Sequence, residues 1–280
     1  MLVAAAVCPC PPLLVPEIAA GAAPELAPLR DACSDAISVL AAARPDRLIV
    51  LGPAAPDADG TYPSGSAGSF RGYGVDVTVR LGARPGADGA TGHGATGQGV
   101  TGHGARSAEA DDAEHGANPE YGADPEYGAG WAERELPSSL AIAAWLLERA
   151  RWSAAPVEGL GLAETLAVDR CTALGRELAR SADRVALLIS GDGSARRTLK
   201  APGYLDERAA ACDAEVARAL GTADTTALSE LDPHLAQDLL MSGRACWQVL
   251  AGAGDGAGLR GALLYDEAPY GVGYFVATWS

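Results

Sequence analysis

The most constraining feature of the sequence is a short apolar run that ends in a glycine-rich loop. Residues 185–189 are all apolar, which is the pattern of a strand buried on both faces of a sheet. The run ends in a Ser-Gly-Asp-Gly-Ser segment, where two glycines permit backbone angles that other residues avoid, and Arg196 and Arg197 follow. Because ligands of open α/β sheets bind beyond the carboxyl ends of the strands, this loop is a candidate site. An ordinary turn with solvated arginines would give the same pattern.

Two other apolar runs, residues 2–7 and 47–51, predict buried strands that also end abruptly. The first is followed by a Cys-Pro-Cys-Pro-Pro segment and the second by the loop 52–57. Because parallel strands present their carboxyl ends at one edge of a sheet, we expect these two loops and the glycine-rich loop to meet there.

Strands alternate with amphipathic segments along the rest of the chain. The apolar spacing predicts helices over residues 24–43, 136–150, 162–182, 206–220 and 232–251. Alternating polarity predicts a half-exposed strand over 75–81, and a short turn joins two closing strands, 261–265 and 272–278, that should be antiparallel. The predicted fold is therefore a three-layer α/β/α domain with a central, mostly parallel but mixed sheet.

Residues 84–135 differ in character from the rest of the chain. They contain the five-residue repeats Gly-Ala-Thr-Gly-His and Gly-Ala-Thr-Gly-Gln, and a Gly-Ala-Asn-Pro-Glu-Tyr segment with a near copy. Few of these side chains can enter a core, so we predict a disordered, acidic, glycine-rich insertion within one domain spanning 1–280. Three histidines, His93, His103 and His115, lie in it, and a weak metal-binding tract is the alternative to a spacer.

Charge and hydropathy exclude several partners. The formal net charge is −15, whereas nucleic acids and anionic membranes require a basic surface, so we expect neither as a partner. No window approaches the roughly 20 apolar residues that span a bilayer. The apolar N-terminus lacks basic residues and is interrupted by prolines, so we expect a strand rather than a signal peptide. A cytoplasmic protein with reduced cysteines is the resulting expectation.

Five short segments occur in an informative order. They are Cys-Pro-Cys-Pro-Pro-Leu-Leu at 8–14, Ile-Val-Leu-Gly-Pro-Ala at 49–54, Gly-Ser-Phe-Arg-Gly-Tyr-Gly at 68–74, Ser-Gly-Asp-Gly-Ser-Ala-Arg at 190–196 and Pro-Tyr-Gly-Val-Gly-Tyr at 269–274. Their order resembles the class III extradiol ring-cleavage dioxygenase superfamily, which includes Memo-like proteins and the catalytic subunit of protocatechuate extradiol dioxygenase. The corresponding family segments commonly contain Pro-His-Pro-Pro-Leu-Leu, Ser-Pro-His and Ser-Gly-Asp-Leu-Ser-His-Arg.

The resemblance implies an oxidoreductase of aromatic compound metabolism that inserts O₂ into catecholic rings. Fe(II) would be held by two histidines and a carboxylate, and a further histidine would transfer protons. This sequence has Cys10, Ala54 and Met241 at the ligand positions, with Asp238 about one turn before Met241, and Ala195 at the acid/base position. Only Cys10 and Asp238 remain as weak metal candidates, because alanine can neither bind metal nor transfer a proton.

Two other functions are compatible with these residues. A metal-free pseudoenzyme would bind a small anionic ligand through the loop 191–197. Its predicted ligand-binding residues are Gly191, Asp192, Gly193, Arg196, Arg197 and Tyr270. A different enzyme would use Cys10 or Asp192, and the candidate pocket then comprises Cys10, Asp192, Ser194 and Arg196. The small-molecule ligand would be aromatic or anionic, and a homodimer is compatible with the resemblance.

Each candidate also has an ordinary structural interpretation. Cys10 beside prolines is typical of a small buried apolar residue, because no base that would activate it is visible in the sequence. Asp192 is typical of a residue that stabilises a turn. Arg196 and Arg197 could pair with some of the 36 acidic residues of the chain instead of binding a ligand.

Overall fold

The computed structural model describes residues 1–82 and 134–280, so the predicted insertion lies outside the described residues except for its last two. The larger of its two sheets has seven strands in the order β3-β6-β2-β7-β1-β9-β8. These strands are β1 Leu2–Cys8, β2 Arg47–Ala54, β3 Gly60–Tyr62, β6 Val157–Ala163, β7 Val185–Ser190, β8 Gly261–Glu267 and β9 Tyr274–Trp279. Two short strands, β4 Ala67–Ser69 and β5 Thr78–Arg80, form a separate antiparallel pair.

The sheet is mixed, as the sequence predicts. Strands β6, β2, β7 and β1 are parallel neighbours, whereas β3 and β9 flank them in antiparallel orientation and β8 pairs antiparallel with β9. Ile189 pairs with Leu51 on one side and with Val7 on the other. The carboxyl ends of β1, β2 and β7 therefore lie level at one edge of the sheet, which confirms the predicted meeting of their loops.

Helices cover both faces of the sheet. They are α1 Pro16–Ala19, α2 Ala27–Ala42, α3 Ser138–Arg149, α4 Val168–Ala179, α5 Ala209–Thr222, α6 Thr225–Ser229, α7 Pro233–Asp238 and α8 Arg244–Gly254. Alternate residues of β1 contribute to two separate cores: Ala4 and Ala6 pack with α2 and α3, whereas Ala5 and Val7 pack with α5 and α8. This period-two partition produces the predicted three-layer arrangement. Among the described helices, none is long and apolar enough to cross a bilayer.

The predicted helix over 232–251 is wrong, because two helices, α7 and α8, occupy this stretch with a break between them. Leu240 has a left-handed backbone with φ of 53°, a conformation that a continuous helix does not contain. The break brings Gly243 against Gly191, where an added Cβ on Gly191 would lie 2.4 Å from the Gly243 Cα. The interrupted helix therefore allows the glycine-rich loop to pass close to this backbone.

Two other boundaries also differ from the prediction. The helix expected over 162–182 begins only at Val168, and the residues before it belong to β6, a strand that the sequence did not reveal. Gly161 interrupts the apolar alternation of that strand, and an added Cβ there would lie 2.7 Å from the Ala58 carbonyl oxygen. The half-exposed strand expected over 75–81 is shorter, because only Thr78–Arg80 pairs with another strand. Within it Val79 is buried and its two neighbours are exposed, as expected for a half-exposed strand.

Candidate functional site

Backbone and side-chain hydrogen bonds join two of the predicted loops. The Gly191 N–H donates to the Cys8 carbonyl oxygen at 3.2 Å, and the Cys10 N–H donates to Asp192 Oδ1 at 2.8 Å. The loop after β1 is therefore fixed to the loop after β7 at the carboxyl edge of the sheet.

A cleft of about 770 Å³ opens at this same edge. Its walls are Cys10, the loop 53–58 after β2, the start of α3 at 137–139 and the loop 163–165 after β6. Most of the lining is proline and alanine, and Ser138 and Thr165 contribute hydroxyl groups. Ser139 Oγ donates to the Pro53 carbonyl oxygen at 2.7 Å, which fixes the start of α3 against β2. The volume and mainly apolar lining are typical of small-molecule sites.

The charge lining the cleft is negative. Asp57 and Glu164 are both exposed on its wall, and no lysine, arginine or histidine of the described residues lines it. Acidic side chains without a basic partner favour uncharged or cationic ligands, because an anion would be repelled at short range.

The Cys10 thiol is nearly buried at the base of this cleft, with 9% exposure. Burial raises its pKa well above the ordinary cysteine value, and the negative charge of Asp192 raises the pKa further, followed by smaller effects that include Glu164. The thiol is therefore protonated at neutral pH, whereas the thiolate is the form that attacks substrates and binds metals.

Asp192 is partly buried and is held by both its backbone and its side chain. Its N–H donates to Ser242 Oγ at 3.1 Å, and its carbonyl oxygen accepts from the Gly243 N–H at 3.0 Å. Burial raises the pKa of its carboxyl to about 7, although the hydrogen bond from the Cys10 N–H opposes this rise. Asp192 therefore connects the loop after β1 to the residues that separate α7 from α8.

Ser194 and Arg197 both contact Asp213, a residue that the sequence analysis missed. The Ser194 N–H donates to Asp213 Oδ1 at 2.8 Å, and Arg197 Nη1 lies 2.9 Å from Asp213 Oδ2. The Asp213 side chain is 1% exposed. Burial raises its carboxyl pKa, and the bonds from Ser194 and Arg197 partly offset the rise. The guanidinium of Arg197 thus compensates a buried charge inside the protein.

The other predicted binding residues lie outside the cleft. Arg196 is partly buried, and its Nε makes no hydrogen bond within the described residues. The Gly193 N–H donates to the Gly273 carbonyl oxygen at 2.7 Å. Tyr270 donates its hydroxyl to Glu25 Oε2 at 2.9 Å. Of the residues singled out from the sequence, Cys10 and Ala54 line the cleft, and Asp192 accepts a hydrogen bond from the Cys10 N–H. Asp57, from the predicted loop 52–57, also lines the cleft.

The residues at the four family positions do not fit an Fe(II) site. Ala54 and Ala195 offer no ligand atoms, and Met241 is 4% exposed and lines other cavities. Asp238 is exposed on α7 and pairs with Arg208 at 3.2 Å. Within residues 1–82 and 134–280, no three His, Cys, Asp or Glu side chains are grouped so that they could hold a metal.

Comparisons with known proteins support the fold alone. Neither a protein-family model nor a curated protein sequence matches this chain. Among solved structures, the uncharacterized protein JW3007 from Escherichia coli K12 is similar over 99% of both chains, with a TM-score of 0.52 and 14% sequence identity. The two proteins therefore share a fold, and this likeness carries no statement about activity.

Proposed function

We propose that this protein binds a small molecule on a class III extradiol dioxygenase-like fold and works without a metal. The observation that supports the proposal best is the position of Cys10 and Ala54. These residues stand where the resemblance expects the two histidine ligands, and both line the 770 Å³ cleft at the carboxyl edge of the sheet. On this proposal, the position of the family's active site is kept as a cleft and its chemistry is changed.

The donor atoms present argue for binding rather than ring cleavage. A 2-His-1-carboxylate site requires three ligand side chains, and here one position carries a protonated, buried thiol and another a methyl group. The acid/base position, Ala195, has no proton to give. Ring cleavage remains the second candidate function, and the ordered family motifs are the observation that favours it.

The lining of the cleft indicates the chemical class of the ligand. Proline and alanine side chains provide an apolar wall for a small ring, and Asp57 and Glu164 favour a cationic or uncharged ligand over an anionic one. An anionic ligand held by the loop 191–197 is less favoured, because Arg197 already pairs with Asp213.

A charge series of one ring compound tests this proposal. Benzylamine, benzyl alcohol and benzoate are titrated calorimetrically into chelator-treated protein. We expect the association constant in the cleft to fall in that order. Ala55 is exposed on the cleft wall, so Ala55→Trp should fill the space and abolish benzylamine binding.

The matched control is Ala211→Trp, at an exposed position of α5 away from the cleft, which should leave binding unchanged. Benzylamine binding that survives Ala55→Trp would contradict the proposal. Stoichiometric iron together with O₂ uptake on catechol would favour the family reaction instead.

A further inference from the structure

A second cavity, of about 490 Å³, lies beside the cleft. It is lined by α7, the connection from α7 to α8, the first residue of α8 and the loop after β6, and Glu164 and Thr165 line both the cavity and the cleft. Its lining differs from that of the cleft, because Arg244 and His234 contribute basic groups. Leu240 and Met241 add an apolar surface.

Arg244 is the unusual residue of this cavity. It is 3% exposed. Its Nη1 donates to the Leu166 carbonyl oxygen at 2.6 Å and to Gln248 Oε1 at 2.9 Å, and its Nη2 donates to the Glu164 carbonyl oxygen. Its buried Nε has no hydrogen-bond partner in the described part of the chain. Every acceptor that this guanidinium has among the described residues is therefore uncharged.

A buried charge without a counter-ion is costly, because attraction to an opposite charge no longer offsets the loss of hydration. The same protein shows the compensated arrangement elsewhere, where buried Asp213 lies 2.9 Å from Arg197. No carboxylate oxygen of the described residues lies within 4.0 Å of the Arg244 guanidinium. Arg244 is also the first residue of α8, where the helix dipole adds positive potential.

We propose that this cavity binds a small organic carboxylate whose negative charge compensates Arg244. Leu240 and Met241 would contact the apolar body of the ligand, and His234 and Gln237 line the same cavity with side chains that can donate hydrogen bonds. Glu164 is the one acidic side chain of the lining. Its repulsion of a carboxylate is opposed here by Arg244, whereas no lysine, arginine or histidine of the described residues lines the cleft. The cavity adjoins the cleft through Glu164 and Thr165, but Arg244 lines only the cavity, so the carboxylate site does not depend on the function proposed for the cleft.

Benzoate tests this site, and benzyl alcohol is its uncharged control. Both are titrated into Ala55→Trp, whose cleft is filled, and we expect benzoate to bind this variant saturably and more tightly than benzyl alcohol. Arg244→Met removes the charge while keeping most of the side-chain length, and it should abolish the preference for the carboxylate.

Arg244 also donates hydrogen bonds to three acceptors within the protein, so Arg244→Met could fail to fold. Variants of Gln237, which is exposed, test the site in that case. Gln237→Glu should weaken benzoate binding about three- to fivefold and Gln237→Lys should strengthen it by a similar factor. Ala55→Trp should leave benzoate binding unchanged, and Gln237→Glu should not weaken benzylamine binding in the cleft.

Three results would overturn the carboxylate site. The first is benzoate that binds Ala55→Trp no better than benzyl alcohol does, and the second is a benzoate affinity that neither Gln237 variant changes. The third is loss of benzoate binding in Ala55→Trp, which would assign the carboxylate to the cleft. Failure of benzylamine binding alone would instead refute only the function proposed for the cleft.

Discussion

The ion pair between Arg197 and Asp213 gives the sharpest stability prediction. Arg197→Met keeps an apolar side chain of similar reach, but within the described residues it leaves the 1% exposed Asp213 carboxylate with the Ser194 N–H as its remaining donor. Removing one partner of a buried pair costs about 3–5 kcal/mol. Because the Arg197 side chain is 26% exposed, we expect a loss near the lower end of this range, about 3 kcal/mol.

The assay is urea denaturation at several pH values. Burial already raises the Asp213 pKa above its unfolded value, so ionisation of this carboxyl costs stability as the pH rises between those two values. Loss of Arg197 raises the folded pKa further and extends that cost to higher pH. The deficit of the variant should therefore be small near pH 4 and largest at neutral pH and above.

Two further variants isolate the charge effect. Asp213→Asn in the Arg197→Met background keeps an acceptor for Ser194 and removes the unpaired charge, so it should recover more than half of the lost stability. Arg196→Met is the adjacent control, since Arg196 makes no ion pair within the described residues. A deficit below about 0.5 kcal/mol at pH 7.5, or one of equal size at pH 4, would refute this reasoning.

Three other variants or reagents test separate parts of the edge of the sheet. Burial raises the pKa of the Asp192 carboxyl to about 7, so its ionisation lowers the stability of the folded protein as the pH rises from about 4 to about 7. Asp192→Asn should therefore raise the melting temperature at pH 8 but not at pH 4. The difference between the folded and unfolded pKa of Asp192 corresponds to about 4 kcal/mol of unfolding free energy, and because the side chain is partly exposed we expect a gain of about 2 kcal/mol. An Asp192→Asn variant less stable than the parent at pH 8 would contradict this expectation. Iodoacetamide at pH 7.5 should label Cys212 before Cys10, because Cys212 is the one cysteine of the six that is not buried. Equal labelling rates, measured by mass spectrometry, would refute a buried, protonated Cys10. Gly191→Ala should lower the free energy of unfolding by about 1–3 kcal/mol, because its Cβ would lie 2.4 Å from the Gly243 Cα, and an unchanged denaturation midpoint would show that this contact relaxes freely.

Patterns that repeat along the chain predicted the architecture well. Unbroken apolar runs identified β1, β2 and β7, because a strand covered on both faces needs apolar side chains at every position. The strand β6 was missed because Gly161 stands at a position where an apolar side chain would have continued the strand pattern. Glycine is needed there, since the Ala58 carbonyl oxygen lies 2.7 Å from where a Cβ would be. The break between α7 and α8 was also missed, because the contact between Gly191 and Gly243 joins residues 52 positions apart.

The candidate site was predicted only in part, because some of its contacts join residues that are distant in the sequence. Cys10 and Ala54 were correctly expected at one edge of the sheet, since parallel strands end there. The role of Arg197 was not visible, because its partner lies on α5. A signal was present: Asp213 falls on the apolar stripe of α5 that includes Ala209, Val216 and Leu220. A lone carboxylate on such a stripe requires a buried partner, and a nearby arginine was the natural candidate.

Metal dependence of ligand binding tests the central claim most directly. Benzylamine is titrated into the protein after chelator treatment and again after anaerobic addition of one equivalent of Fe(II). A cleft with Cys10 and Ala54 in place of the family's histidines should bind benzylamine with the same dissociation constant in both titrations. Binding that appears only after Fe(II) is added would contradict the account.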